Sequence, residues 1–244
     1  MAEVARLCDM ARESRREARA RIDGELMDAA RRQLADVGAA GLSLREVARE
    51  LGMVSSAVYR YVTSRDELLT RLIIEAYDEL GEVAERASAD AARREPGRDL
   101  DHWLATARAV RTWALDQPER YLLLYGSPVP GYAAPEDTVT PGTRVTLALV
   151  AVLADAHAAG RLAPPVDIGP PLDRDLIDDL ERLASTAEAG SVEPPTVLAF
   201  LAAWTQMFGL ISFELTNQTR NVVTDHAALF DATVRLLGHH VGLR

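Results

Sequence analysis

The sequence predicts an all-α protein: three short helices at the front, then a larger helical bundle. Three observations predict it. Apolar residues recur at helical spacing along most of the chain, and no convincing alternating strand interrupts them. Capping boxes and glycine or proline stops fall between those stripes. Near the C-terminus one helix is apolar on every side, which requires cover on every side. At 244 residues the chain is long enough for one large domain or two modest ones, either with a real core.

The elements follow in order. Ile22, Leu26, Ala29, Ala30, Leu34 and Val37 trace one face of a first helix that Gly38 closes. Ser43-Leu-Arg-Glu46 reads as a capping box opening a short second helix that ends at Gly52. A third short helix fits Ser55 to Val62. Ser64-Arg-Asp-Glu67, a second capping box, starts a long amphipathic helix through Leu68, Leu72, Ile73, Ala76, Leu80, Val83 and Ala87. Pro96-Gly97 breaks that pattern.

Helices near 99–116 and 118–126 come next, the latter with Pro118 set for its first turn. Residues 127–142 read as a structured loop, because Val129, Tyr132 and Val139 add apolar weight to its prolines. A helix from about 141 to 159 ends at Gly160. Residues 161–195, rich in proline and acid, are expected to be the most mobile segment, with a modest helix around Leu172–Ala187. The all-round apolar helix spans Thr196 to Asn217. The last, about Asp225–Val241, carries the stripe Leu229, Phe230, Val234, Leu237 and Val241.

Composition excludes several functions. All 27 basic residues are arginine, so no lysine Schiff base, Walker lysine or lysine general base exists. Cys8 is the only cysteine, which leaves no disulfide framework and no thiolate metal cluster. The N-terminus is too polar for a signal peptide, and the greasy run Val145–Ala154 is about half of the ~20 residues of a bilayer span. A cytoplasmic protein with no membrane partner is expected. The net charge of -10 argues against a chain basic all over. That charge is uneven: residues 1–71 hold 13 Arg against 12 Asp+Glu, and residues 72–244 hold 14 against 25. The front of the chain is the part suited to approach a polyanion.

A helix, a tight turn and a short helix at 44–62 meet the helix-turn-helix pattern. Ala48 supplies the small contact, Gly52 the turn, and Val47, Leu51, Met53 and Val58 the apolar lock. The second helix then exposes Ser55, Ser56, Ala57, Tyr59, Arg60 and Tyr61, whose small leading residues permit close approach to base edges. Tyr59, Tyr61, Arg45 and Arg65 surround it as phosphate donors. Arg60 is the candidate for a bidentate guanine contact, with a phosphate contact or a free surface arginine as the competing reading. An ordinary helical hairpin with a solvated face is the bland alternative for the whole motif.

Residues 22–72 resemble the DNA-binding domain of the TetR (tetracycline-repressor-like) family of bacterial transcriptional regulators. The resemblance rests on Gly41-Leu-Ser-Leu-Arg-Glu-Val-Ala48, Leu51-Gly52, Val58-Tyr59-Arg-Tyr61-Val62 and Ser64-Arg-Asp-Glu-Leu68. It implies phosphate contacts at Tyr59, Tyr61 and Arg65, and groove-facing positions at Ser55, Ser56, Ala57 and Arg60. Val54 stands where the family usually has Ser or Thr.

The later region is similar to a tryptophan/His-Gly (WHG-type) subclass of the family's ligand domains. It shares Tyr121-Leu-Leu-Leu-Tyr125-Gly-Ser-Pro-Val-Pro-Gly-Tyr132, and Trp204 with Gly209 five residues on; Phe208 replaces the usual His. The resemblance implies a C2 dimer in which the two C-terminal helices pair with their mates. Ala199, Ala202, Ala203 and Phe213 on one helix, and Phe230, Val234 and Leu237 on the other, are the dimerisation candidates.

A small-molecule site needs a mostly apolar pocket with a few polar groups. The candidates are Trp103, Trp113, Tyr121, Tyr125, His157, Trp204, Gln206 and Phe208, each of which plain core packing would also explain. Residues 1–20 form a possible basic arm, with Arg12, Arg15, Arg16 and Arg19 offset by acids, so a frayed or self-paired helix competes with a DNA contact. No nucleophile elbow, phosphate loop or HExxH is present, and the five histidines lack ligand spacing, so no catalytic residue, metal or cofactor is expected.

The expected organisation is an arm at 1–20, a helix-turn-helix domain at 21–66, and a ligand-binding and dimerisation domain at 67–244. The expected function is a ligand-responsive repressor that binds a palindromic DNA operator as a homodimer and is released by a largely apolar effector. The alternatives are a ligand-binding helical protein without operator binding, and an enzyme built on the bundle.

Overall fold

The computed structural model describes residues 2–164, 171–186 and 192–244, with side chains from residue 16 onward. The side chains of Cys8, Arg12 and Arg15, and stretches 165–170 and 187–191 of the segment expected to be mobile, lie outside the described residues. All helices expected from periodicity are present: α1 (Ala2–Gly41), α2 (Leu44–Glu50), α3 (Ser55–Val58), α4 (Arg65–Arg94), α5 (Asp99–Asp116), α6 (Pro118–Tyr125), a 3₁₀ turn (Glu136–Thr138), α7 (Val139–Ala158), α8 (Arg174–Thr186), α9 (Pro194–Leu215) and α10 (His226–His240).

Two compact units divide the chain. The first holds residues up to Glu75 together with Ser127–Pro135, and the second holds Ala76–Gly126 and Glu136–Arg244. The first unit extends past the 66/67 boundary because the opening of α4 joins its core, where Leu68 and Leu69 are fully buried.

In the first unit α1 is helical from Ala2, so the N-terminal segment continues the helix rather than leaving it as a separate arm. Its buried face is Leu26, Ala29, Ala30 and Leu34, as the stripe requires. Gly38 breaks it, at φ 69° and ψ 174°.

The first capping box does not form. The Gln33 side chain already accepts the Ser43 N–H (3.1 Å), so Glu46 is left to pair with Arg49 at 2.5 Å. The second forms in part: Ser64 Oγ accepts the Glu67 N–H at 3.0 Å, but the Glu67 carboxylate accepts from the N–H and hydroxyl of Thr63, one residue earlier.

Between α2 and α3, Gly52 adopts φ 64°, and the Met53 N–H reaches back to the Ala48 carbonyl at 2.8 Å. That is a Schellman-type stop, which only glycine enters without strain. α3 is shorter than expected. Beyond Val58 the bonds tighten to three-residue spacing, Arg60 to Ala57 and Tyr61 to Val58, and the helix ends in turns. The loop 127–135 is anchored here as well, with the Tyr132 and Thr70 hydroxyls 2.9 Å apart.

In the second unit α5 packs against α6, α7, α9 and α10. Trp103 is fully buried, and its indole N–H donates to the Val234 carbonyl of α10 at 3.2 Å. Arg111 of α5 forms a two-pronged, largely buried pair with Glu214 of α9. Near the end of the chain the Ala163 N–H donates to the Gly242 carbonyl at 2.8 Å, and Val241 and Leu243 are buried. By length and composition the segments Glu136–Ala158 and Pro194–Leu215 would each reach across a bilayer, which the short run Val145–Ala154 did not suggest. Both bury one face in this core, α7 through Leu149 and Leu153, α9 through Met207 and Ile211.

Candidate nucleic-acid interface and effector site

In the first unit Val58 is fully buried and anchors α3, so the residues around it turn outward. Ser55, Ser56 and Arg60 are exposed, Tyr59 is half-exposed, and Ala57 and Tyr61 are half-buried. Arg45 is exposed on α2.

Most arginines of this unit are already partnered. Arg31 pairs with Asp28 and Glu75, Arg32 with Glu50, Arg49 with Glu46, Arg71 with Asp23 and Arg21 with Glu25. Arg19 lies 5.8 Å from the Tyr61 ring centre. Arg16, Arg45 and Arg60 are exposed and, among the described residues, have no hydrogen-bond, ion-pair or ring partner.

Arg65 is placed differently from Arg45 and Arg60. Its Nε donates to the Leu42 carbonyl (3.0 Å), and one terminal nitrogen donates to the carbonyls of Ala39 (2.9 Å) and Ala40 (3.2 Å). Ala39 and Ala40 lie in the last turn of α1 and Leu42 just beyond it, where a cation is also favoured by the helix dipole.

In the second unit an aromatic cluster joins three helices. α6 presents Tyr121 and Tyr125 one turn apart; α9 presents Trp204, Phe208 and Ser212 at the same spacing; α4 adds Tyr77. Ring centres are 4.3 Å apart for Tyr125–Phe208, 5.1 Å for Tyr121–Tyr125, 5.3 Å for Trp204–Phe208 and 6.1 Å for Tyr77–Tyr125. The Tyr121 hydroxyl donates to the Phe208 carbonyl (2.9 Å) and lies 3.2 Å from Ser212 Oγ. Burial pushes its pKa up to about 12, with the Ser212 hydrogen bond opposing. Burial pushes the Tyr125 hydroxyl higher still, with Tyr77 and Tyr121 adding to it. The Trp204 indole N–H is buried and has no acceptor.

A separate apolar cavity of about 50 Å³ lies under α8, lined by Val150, Leu153, Leu183, Val197 and Phe200 among others. An apolar cavity that holds benzene is roughly 150 Å³, so this one is too small for such a molecule as it stands.

Residues 26–72 match the family described as bacterial regulatory proteins, tetR family, and residues 103–237 match the Tetracyclin repressor-like C-terminal domain. The chain belongs to the tetR family. Over 225 residues it is 44% identical to the HTH-type transcriptional regulator Rv1816 of Mycobacterium tuberculosis, covering 91% of this chain and 93% of that one. It is 33% identical to the regulatory protein SCO4313, whose crystal structure superposes with a TM-score of 0.68 over 91% of this chain and 97% of that one. The TetR family transcriptional regulator PfmR from Thermus thermophilus shares the fold, with a TM-score of 0.55 at 16% identity over 87% and 96% of the two chains. The protein is a helix-turn-helix transcriptional regulator.

In this tetR-family regulator four of the eight expected ligand residues come together: Tyr121, Tyr125, Trp204 and Phe208. The other four do not join them. Trp103 is core, Trp113 lies against the Arg120 guanidinium, and His157 and Gln206 face outward. Tyr77 was missed, although its spacing from Ile73 and Leu80 places it on the same stripe of α4.

The expected dimerisation residues divide too. Ala202 and Phe213 are exposed and Ala199 is half-buried, but Ala203, Phe230, Val234 and Leu237 are buried within the chain. The last three form the stripe that α10 buries within the unit, so they are not free for another copy. The outward face of α10 is instead Ala228, Ala232 and Leu236, spaced one turn apart.

Proposed function

We propose that this tetR-family regulator is a homodimeric repressor that reads a palindromic operator through α3 and leaves it when a small molecule binds the second unit. The observation that carries the reading is charge placement. Arg45 and Arg60 remain unpartnered beside α3, whereas the arginines around them are mostly neutralised within the unit. Ser55, Ser56 and Ala57 let the backbone of α3 approach base edges, Arg60 contacts a base edge, and Arg45, Tyr59 and Tyr61 hold phosphates. Arg65 holds the end of α1 so that these groups keep their spacing.

Dimerisation uses the outward faces of α9 (Ala202, Phe213) and α10 (Ala228, Ala232, Leu236), giving two recognition helices about one DNA turn apart. Effector binding reaches the first unit through the chain itself, which passes between the units within α4 and at both ends of the loop Ser127–Pro135. A few kcal/mol of differential affinity between two arrangements of the units is enough for release. The reading places the protein in the cytoplasm and assigns no catalytic step, metal or cofactor.

The test is fluorescence anisotropy of the full chain with duplexes from the DNA flanking its own gene. Arg45→Ala weakens every duplex alike. Arg60→Ala narrows discrimination at one base pair per half-site, by roughly 1–3 kcal/mol. Wild-type binding no tighter than to random duplex would overturn the reading.

A further inference from the structure

The aromatic cluster contains polar groups that the fold leaves unused. The contrast lies within single residue types. Trp103 donates its indole N–H to Val234, and Tyr121 donates its hydroxyl to Phe208, as buried donors normally do. Trp204 is packed against the same core, yet its buried N–H has no acceptor. The hydroxyls of Tyr125 and Tyr77 also lack a hydrogen bond among the described residues. An unmatched buried donor such as the Trp204 N–H is unfavourable and calls for a partner that arrives separately.

The surroundings restrict that partner. Four rings, Tyr77, Tyr125, Trp204 and Phe208, supply flat apolar faces suited to another flat apolar body. Among the described residues no arginine or carboxylate hydrogen-bonds to the Trp204 N–H or to the Tyr77 and Tyr125 hydroxyls, and the nearby Arg120 is already paired with Glu79. A charged ligand would therefore lose its hydration with nothing to replace it. The indole N–H can only donate, so the ligand must offer it an acceptor, while the phenol hydroxyls can donate to or accept from the same molecule.

We propose that this cluster is the effector site, and that it takes an uncharged aromatic or conjugated molecule whose carbonyl-type oxygen accepts the Trp204 indole N–H. The proposal rests on the ligand-responsive reading above. Tyr125 and Phe208, now 4.3 Å apart, move apart to admit the ring, and Tyr77 and Tyr125 bring further donors to the same cluster.

The test compares acetophenone with ethylbenzene, which replaces the carbonyl by a methylene at nearly constant shape, and with benzoate at pH 7. The readout is the indole N–H resonances of the ¹⁵N-labelled full chain, with Trp204→Phe identifying the Trp204 signal. Acetophenone moves that signal downfield saturably and binds roughly 5-fold or more tighter than ethylbenzene, consistent with one hydrogen bond gained by an orphan donor. Benzoate binds more weakly than acetophenone, and in Trp204→Phe the two neutral probes bind alike.

The proposal is overturned if acetophenone leaves the Trp204 signal in place, if ethylbenzene binds as well, or if benzoate equals acetophenone. Should Trp204→Phe lose helicity, Tyr125→Phe assigns the cluster by the neighbouring shifts it causes, and the three-probe comparison in wild type decides. These titrations contain no DNA, so their failure is separate from a failure to bind operator.

Discussion

Arg65 offers the sharpest test of how this regulator handles its charge. Spacing and resemblance make it a phosphate contact; the structure gives its guanidinium three carbonyl acceptors at the end of α1. Each hydrogen bond to a charged group is worth about 1.5–3 kcal/mol. The side chain is 32% exposed, and the three bonds share one guanidinium, so they do not add fully. The expected loss for Arg65→Ala is about 2 kcal/mol, or roughly 4–8 °C in Tm for a chain of this size if the units melt together.

A phosphate contact leaves a different signature. Each one released lowers the slope of log K against log salt by about 0.9, so a pair in a dimer lowers it by about 1.8. The assay is therefore a thermal melt beside operator titrations at several salt concentrations. Arg65→Ala lowers Tm and affinity but keeps the slope, whereas Arg45→Ala keeps Tm and flattens the slope. An Arg65→Ala protein with unchanged Tm and a slope flatter by about 2 would refute the reasoning and restore Arg65 to the DNA.

Two further outcomes follow from local geometry. Hydrogen bonds from Thr63 hold the Glu67 carboxyl below its ordinary range. Its contribution is therefore complete above the unfolded value, near pH 4.3, and is lost as pH falls through the lower folded value. Glu67→Gln accordingly melts below wild type at pH 7, with the gap narrowing as pH falls below the ordinary carboxylate range; a gap unchanged by acid would show that charge is not the cause. Gly242 has φ 94°, and a Cβ there would run into the Ala163 carbonyl oxygen, so Gly242→Ala destabilises by at least about 2 kcal/mol. Gly24→Ala, on an open face of α1, raises Tm by contrast, and equal effects in the two melts would contradict this account.

The helices were legible because their signals are local. The α10 stripe, the Gly52 stop and the helix-turn-helix spacing each depend on residues a few positions apart, and the structure forms all of them. The sequence also shows that every fixed cation near the DNA must be arginine, since lysine is absent.

Tertiary structure decided what each side chain does with its partners. Gln33 takes the N–H that the first capping box would have used, and the Ala39 and Ala40 carbonyls of α1 take Arg65. The core of the second unit buries Phe230, Val234 and Leu237, which periodicity and resemblance alone offered for dimerisation. Tyr77 joins rings from α6 and α9, while Trp103, of the same chemical character as Trp204, finds an acceptor on α10. In each case the competing partners lie far apart in the chain. Periodicity establishes which face of a helix is apolar, but only packing determines what meets that face and which donors go without a partner.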